Sequence, residues 1–200
     1  MILSNLEIQK ALDEGRLVIE PQPSPRKAEP GKYCPYDTHS VDLRLHNEIS
    51  IPKGGTFVYD LTEPGRLSEQ ITKNSEKRVL LPGQPYLLKQ GNFILARTLE
   101  RIALPTYKGP PYLAARIEGK SSRSRCGVLI HFTAPTVHPG WEGSLTLEMI
   151  NLSPTTFALH AEMWIAQLIV EQVFGEIMPN PSQFHNQSTP EGLPVDRQRG

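Results

Sequence analysis

Prolines and glycines break this chain up too often for long helices. Nineteen prolines and fifteen glycines fall between short apolar runs along 200 residues. Proline removes a backbone donor and clashes with the helical turn before it, and glycine inside an element loses the most conformational entropy on folding. Short apolar runs bounded by such residues read as strands joined by turns, so the expected class is all-β, a sandwich or barrel. One helix is expected beside the strands. Ser4-Asn-Leu-Glu7 has the spacing of a capping box, Leu6, Ala11 and Leu12 lie at helical spacing, and Gly15 supplies a stop. This helix is expected over about residues 5–14.

Taken in order, Leu17–Glu20 reads as a strand and residues 21–38 as a long, Pro-rich polar loop. A structureless loop of that length is uncommon unless it serves an interface or a site. Ser40–Leu45 alternates, with Val41, Leu43 and Leu45 on one face. Asp42 and Arg44 lie on the other face, where residue pattern alone allows an exposed cross-strand pair worth little. Glu48–Leu61 reads as a strand pair around Lys53-Gly-Gly55, and 62–78 as polar loop. Tyr86–Lys89 and Phe93–Thr98 read as a hairpin about Gln90-Gly-Asn92. Thr156–His160 and Trp164–Val170 read as two further core strands, with Phe157 and Trp164 as packing residues. From Gly175 onward the chain is polar, Pro-rich and without periodicity, the pattern of a tail.

Two hundred residues make one domain the default. The formal net charge is zero, so no global basic field points to DNA or RNA. No apolar run approaches the ~18 residues of a membrane span. The N-terminus lacks a basic segment followed by an apolar one, so a cytoplasmic location is expected. Cys34 and Cys126 are far apart and expected to be reduced. The chain has no Cys-x-x-Cys, so no zinc site built on such a pair is expected.

Most of the plausible chemistry lies between Arg116 and Asn151. Glu118–Arg125 packs three cations and three hydroxyls into eight residues: Lys120, Ser121, Ser122, Arg123, Ser124 and Arg125. Such a set suits an oxygen-rich anion, since Lys and Arg supply charge and Ser supplies short hydrogen bonds. Residue pattern also allows a plain polar loop. Val128–Phe132 is β-rich, His138–Gly143 is a turn, and Ser144–Ile150 alternates as a strand. Leu145, Leu147 and Met149 share one face; Ser144, Thr146 and Glu148 share the other. Charged residues are depleted in mid-strand, which singles out Glu148, although a solvated outer face also accommodates it.

Four linked segments narrow these alternatives. Gly119-Lys-Ser-Ser-Arg-Ser-Arg125, His131-Phe-Thr-Ala134, Pro139-Gly-Trp-Glu-Gly143 and Leu147-Glu148 resemble, in order and spacing, the motifs of the dCTP deaminase family within the trimeric dUTPase-like superfamily. Ser40–Leu45 resembles the strand that follows that family's opening helix, and Gln183-Phe-His-Asn-Gln187 resembles the segment that closes over bound nucleotide.

The resemblance implies a distorted jelly-roll β-barrel with a short N-terminal helix over residues 1–175, and a tail over 176–200 that closes over nucleotide. It implies a homotrimer with sites between subunits, dCTP as substrate, and room for dTTP or dUTP. It implies Glu148 as the acid-base, with Arg125, Ser121 and Ala134 completing the catalytic set. Lys120, Ser121, Ser122, Arg123, Ser124 and Arg125 would hold the triphosphate, with Mg²⁺ carried on its oxygens. His138, Thr146, Leu147, Glu148, Gln183 and Gln187 would contact the rest of the nucleotide. Where the family has Asp, this chain has His138, which fits phosphate hydrolysis less well. The expected activity is conversion of dCTP to dUTP and ammonia. The alternatives are a bifunctional enzyme that continues to dUMP and pyrophosphate, and a non-catalytic nucleotide-binding trimer.

Overall fold

Helix α1 (Asn5–Asp13) begins where its cap predicts, with the Ser4 hydroxyl accepting the Glu7 N–H at 3.4 Å. In this computed structural model, which describes residues 1–59, 61, 67–180 and 182–193, the buried face of α1 is Ile8 and Ala11. Leu6, expected there, is 71% exposed. At 3.6 residues per turn it lies about 200° around the helix from Ile8, whereas Ala11 and Leu12 follow Ile8 at i+3 and i+4. Gly15 follows the helix at φ +64°, a left-handed stop.

The remaining frame is antiparallel β. Strands β1 (Val18–Glu20), β3 (Glu48–Pro52), β4 (Ser75–Val79), β6 (Phe93–Ala103), β8 (Val128–Leu129) and β10 (Glu142–Asn151) form one sheet. Its order is β4-β3-β6-β10-β8, with β1 paired to the far end of β6. A second sheet runs β2 (Val41–Arg44), β12 (Trp164–Val173), β7 (Tyr112–Gly119), β9 (Thr136–Val137). Strands β5 (Tyr86–Leu88) and β11 (Phe157–Leu159) make a separate pair. One apolar cluster joins the sheets, taking Ile94, Leu147 and Met149 from the first and Leu43, Ile117 and Leu168 from the second. The all-β class therefore holds. Among the described residues the sheets stay open around this core and do not close into a barrel.

Three local expectations need correction. The partner of β3 is β4, inside the stretch read as loop, and not the chain after Gly55. Strand β4 is Ser-Glu-Lys-Arg-Val with only Ser75 buried, so it carries no apolar alternation to find. Its charges are what an edge strand uses to discourage further pairing. Helix α2 (Leu67–Lys73) precedes it with no buried residue, and residues 62–66 of that loop lie outside the described residues. The turn at Gly91 forms at φ +72°, but the strands it joins part into different sheets, β5 with β11 and β6 with β10. Asn151 holds this corner, donating from Nδ2 to the carbonyls of Leu88 at 3.0 Å and Thr155 at 2.7 Å.

Asp42 and Arg44 leave the apolar face as alternation requires, yet neither forms the exposed pair that was allowed for them. Arg44 donates from Nε to Glu100 Oε1 at 2.7 Å and from its backbone N–H to Oε2 at 2.8 Å, and Glu100 is fully buried. Asp42 is buried against Lys120. Packing of β2 beside β12 and under the 21–38 loop removes the solvent that a lone strand would meet.

A cluster at the start of β3 and on β6, of which only Glu48 is half exposed, carries a pH prediction. Arg97 donates to Glu48 Oε2 at 2.8 Å and lies 2.7 Å from His46 Nε2. Burial pushes the Glu48 carboxyl up, but hydrogen bonding and charge from Arg97, with His46 and Lys77, outweigh it and leave it below the usual range. Burial and Arg97 both push the His46 imidazole down. A lowered folded-state pKa contributes stability above the unfolded value that is lost as pH falls through the folded one. Arg97→Gln is therefore expected to lower the urea midpoint near neutrality and to cost less and less below about pH 6 and again below about pH 4.3. The effect stays under about 1 kcal/mol because Glu48 is half exposed. Urea midpoints across this range check it; a pH-independent difference would assign Arg97 to packing alone.

Candidate active site

Strand β10 holds Glu148 as its alternation predicts. Leu145, Leu147 and Met149 are buried, while Thr146 and Glu148 are half-buried on the opposite face. One edge of β10 is paired to β6 through Thr146↔Arg97, Leu147↔Ala96 and Glu148↔Leu95. Along the other edge, β8 pairs only at Ile150 and Asn151, and the chain near the C-terminus bridges only at Gly143. Between these, no strand covers that edge among the described residues, so main-chain groups there are available to a ligand. Leu147 has its side chain in the core and can serve only through its backbone. The register shifts opposite Leu145, where β6 carries the extra residues, and the Leu145 N–H donates to the buried Thr98 hydroxyl at 2.9 Å.

The loop after β8 faces the carboxylate. The Phe132 N–H donates to Glu148 Oε2 at 3.3 Å, which sets the exposed segment Phe132–Ala134 beside it. His131 is half-buried, with Nε2 3.4 Å from Glu118 Oε2. His138 is exposed on the turn that Gly140 completes at φ +83°.

The basic segment is a short helix, α3 (Ser121–Ser124), and not an open loop. Ser121 to Arg125 are all exposed. Arg123 and Arg125 have no carboxylate partner among the described residues, which leaves both guanidiniums available to an anion. No hydrogen bond or ion pair joins Arg125 to Glu148 within one chain. Lys120 differs from its neighbours. Its ammonium lies 2.5 Å from Asp42 Oδ2 and donates to the Tyr33 hydroxyl at 2.9 Å, and that hydroxyl donates to Asp42 in turn. Burial pushes the Asp42 carboxyl above its usual range, and Lys120 partly offsets this. The sequence offered one signal for this contact, the unexplained length of the 21–38 loop.

The C-terminal segment lies on the start of β10. Gln187 is buried; its Nε2 donates to the Ser144 carbonyl at 2.7 Å and its carbonyl accepts the Ser144 N–H at 3.0 Å. Thr146 Oγ1 donates to the Pro190 carbonyl at 3.3 Å. Gln183 is exposed, away from these bonds. A cavity of about 400 Å³ opens between this segment and Arg97, Arg101 and Glu142. It includes neither Glu148 nor α3, and its arginines are already paired, Arg97 to Glu48 and Arg101 to Glu142. This cavity is therefore separate from the uncovered β10 edge beside Glu148. Among the described residues no group of three His, Cys, Asp or Glu side chains is placed to hold a metal ion. No helix among them is long and apolar enough to cross a membrane.

Comparison with known proteins bears on this arrangement. A family model described as dCTP deaminase-like matches residues 2–173. A Dictyoglomus thermophilum protein named "dCTP deaminase, dUMP-forming" is 34% identical over 200 residues, covering 95% of this chain and 92% of its own. A Natronomonas pharaonis protein named "dCTP deaminase" is 34% identical over 170 residues, covering 84% of this chain and 78% of its own. The crystal structure of 2′-deoxycytidine 5′-triphosphate deaminase from Agrobacterium tumefaciens shares the fold, with a TM-score of 0.60 at 19% identity. It matches over 84% of this chain and 46% of that longer one. With the family model spanning most of its length and relatives above 30% identity over most of both chains, the chain belongs to the dCTP deaminase-like family.

Proposed function

We propose that this chain is a hydrolase that deaminates dCTP to dUTP and ammonia. The observation that carries the reading is Glu148: a half-buried carboxylate on an uncovered strand edge, in a chain of this family. Deamination at C4 needs a proton taken from water, a proton delivered to the ring and a proton delivered to the leaving amine. One fixed carboxylate can do all three in sequence. Glu148 takes the proton as water oxygen bonds to C4 and passes it to N3. It then moves the new hydroxyl's proton to the amino nitrogen. The C4–N bond breaks, ammonia leaves and the carbonyl forms. The main chain of Thr146–Glu148 and Ala134 reads the cytosine edge, and Ala134 helps place the water. His138 meets the deoxyribose, since an imidazole can hydrogen-bond a hydroxyl.

Lys120, Ser121, Ser122, Arg123, Ser124 and Arg125 hold the triphosphate, and Arg125 and Ser121 also face the reacting centre. Arg125 forms no hydrogen bond or ion pair with Glu148 within one chain, which fits a site that a second copy completes, as in a homotrimer. Leu129, Phe132 and Leu152, on β8 and in the loops beside it and β10, are exposed, which suits an interface between copies. Residues 1–175 form the body, and the tail from 176 closes over nucleotide through Gln187 and Gln183; residues 181 and 194–200 of that tail lie outside the described residues. The donor set around α3 is hydroxyls and cations, which does not suit a resident metal. Mg²⁺ is therefore read as part of the substrate, bound to phosphate oxygens.

Some relatives are named as dUMP-forming and others are not, so the product decides between two activities of one site. The test is incubation with dCTP and Mg²⁺, with ammonia, dUTP, dUMP and pyrophosphate resolved by chromatography. Ammonia with dUTP is expected. Ammonia with dUMP and pyrophosphate would make the enzyme bifunctional and show that His138 tolerates phosphate hydrolysis. Nucleotide binding without turnover would leave a non-catalytic binder.

A further inference from the structure

We propose that Tyr33, from the long 21–38 loop, is a positioning residue that holds Lys120 in place for the triphosphate. The inference rests on the reading of Lys120–Arg125 as the phosphate site. Arg123 and Arg125 extend into solvent from α3, but Lys120 sits at its base with only 21% of its side chain exposed. A lysine ammonium has three donors on a flexible stem. Here Asp42 Oδ2 takes one at 2.5 Å and the Tyr33 hydroxyl takes a second at 2.9 Å, leaving a third for an incoming phosphate oxygen. Tyr33 is fixed from both sides. Its hydroxyl donates to the buried Asp42, and its ring packs on Trp164 at 5.5 Å between centroids. Trp164 in turn lies under the Arg44 guanidinium, 5.4 Å from the ring centroid. The Lys120 ammonium also lies 5.6 Å from the centroid of the Tyr33 ring.

This gives the loop a purpose. Asp42 alone supplies charge but allows the ammonium to swing about one carboxylate oxygen. A second acceptor on an anchored ring fixes its direction before the anion arrives, which removes an ordering cost from binding.

The test compares wild type, Tyr33→Phe, Lys120→Met and the double variant by calorimetry with inorganic tripolyphosphate, and by steady-state kinetics with dCTP. Phenylalanine keeps the ring on Trp164 and removes only the hydroxyl. Tyr33→Phe is expected to weaken tripolyphosphate binding about tenfold, typical of a lost hydrogen bond to a charged group. KM for dCTP should rise by a similar factor with kcat within about twofold. In the Lys120→Met background the same change should do nothing further, because the hydroxyl acts through Lys120. Lys120→Gln serves as that background if Lys120→Met does not fold. Unchanged binding in Tyr33→Phe, an equal loss in both backgrounds, a fall in kcat with KM unchanged, or a wild type that binds no tripolyphosphate would each overturn the inference. A wild type that binds tripolyphosphate in this Tyr33-dependent way but does not deaminate dCTP would leave the inference standing and remove the deaminase reading.

Discussion

Glu148→Gln is expected to lower kcat for dCTP deamination about 10³- to 10⁴-fold while dCTP still binds. The size follows from losing a group that must both accept and donate protons; an amide can do neither at neutral pH. The fold should tolerate the change. Glu148 is half-buried, and among the described residues its carboxylate accepts one hydrogen bond, from the Phe132 N–H, which an amide oxygen can also accept. Ammonia release measures the rate, calorimetry with dCTP measures binding, and a thermal melt checks the fold. Turnover near the wild-type rate would remove Glu148 from the chemistry and with it the assignment. Loss of binding together with turnover would make Glu148 a binding group instead.

Arg44→Ala is expected to cost about 3–5 kcal/mol of stability, because it leaves the fully buried Glu100 carboxylate without its guanidinium. The Arg44 backbone N–H would remain as a donor to Glu100, so the lost energy is that of the charge pair and of the stack on Trp164. For a chain of this size that corresponds to a fall in Tm of roughly 6–20 °C. Burial already pushes the Glu100 carboxyl above its usual range, with Arg44 opposing it. A raised folded-state pKa contributes stability that is full below the unfolded value and is lost as pH rises through the folded one. The Arg44→Ala penalty should therefore be larger at pH ~7 than at pH ~5. Pairing Arg44→Met with Glu100→Gln should recover much of the loss, since no unpaired charge stays buried. A drop below about 1 kcal/mol in Arg44→Ala would mean that water reaches Glu100.

What sequence could say about β10 differs from what it could say about β4, and the difference is physical. In β10 the core takes every second residue, so Leu145, Leu147 and Met149 announce the strand and set Glu148 on its free face. In β4 nothing but Ser75 is buried, and its place is fixed by main-chain pairing to β3. Main-chain hydrogen bonds leave no trace in side-chain pattern. The turn at Gly91 was legible for the same local reason that helix α1 was, yet the sheets its strands joined were not, because that depends on Asn151 some sixty positions on.

The candidate site divides along the same line. Composition, turn residues and alternation, with the motif spacing from Gly119 to Glu148, determined the β class, the basic hydroxyl-rich segment and the carboxylate, since each is local along the chain. Tertiary structure alone decided that Asp42 is buried against Lys120, that Tyr33 reaches the same ammonium from a loop, and that Gln187 seals the start of β10. It also decided that Arg125 and Glu148 do not meet within one chain. Burial, ion pairing and edge exposure depend on which distant segments exclude water from a residue, and no spacing along the chain encodes that.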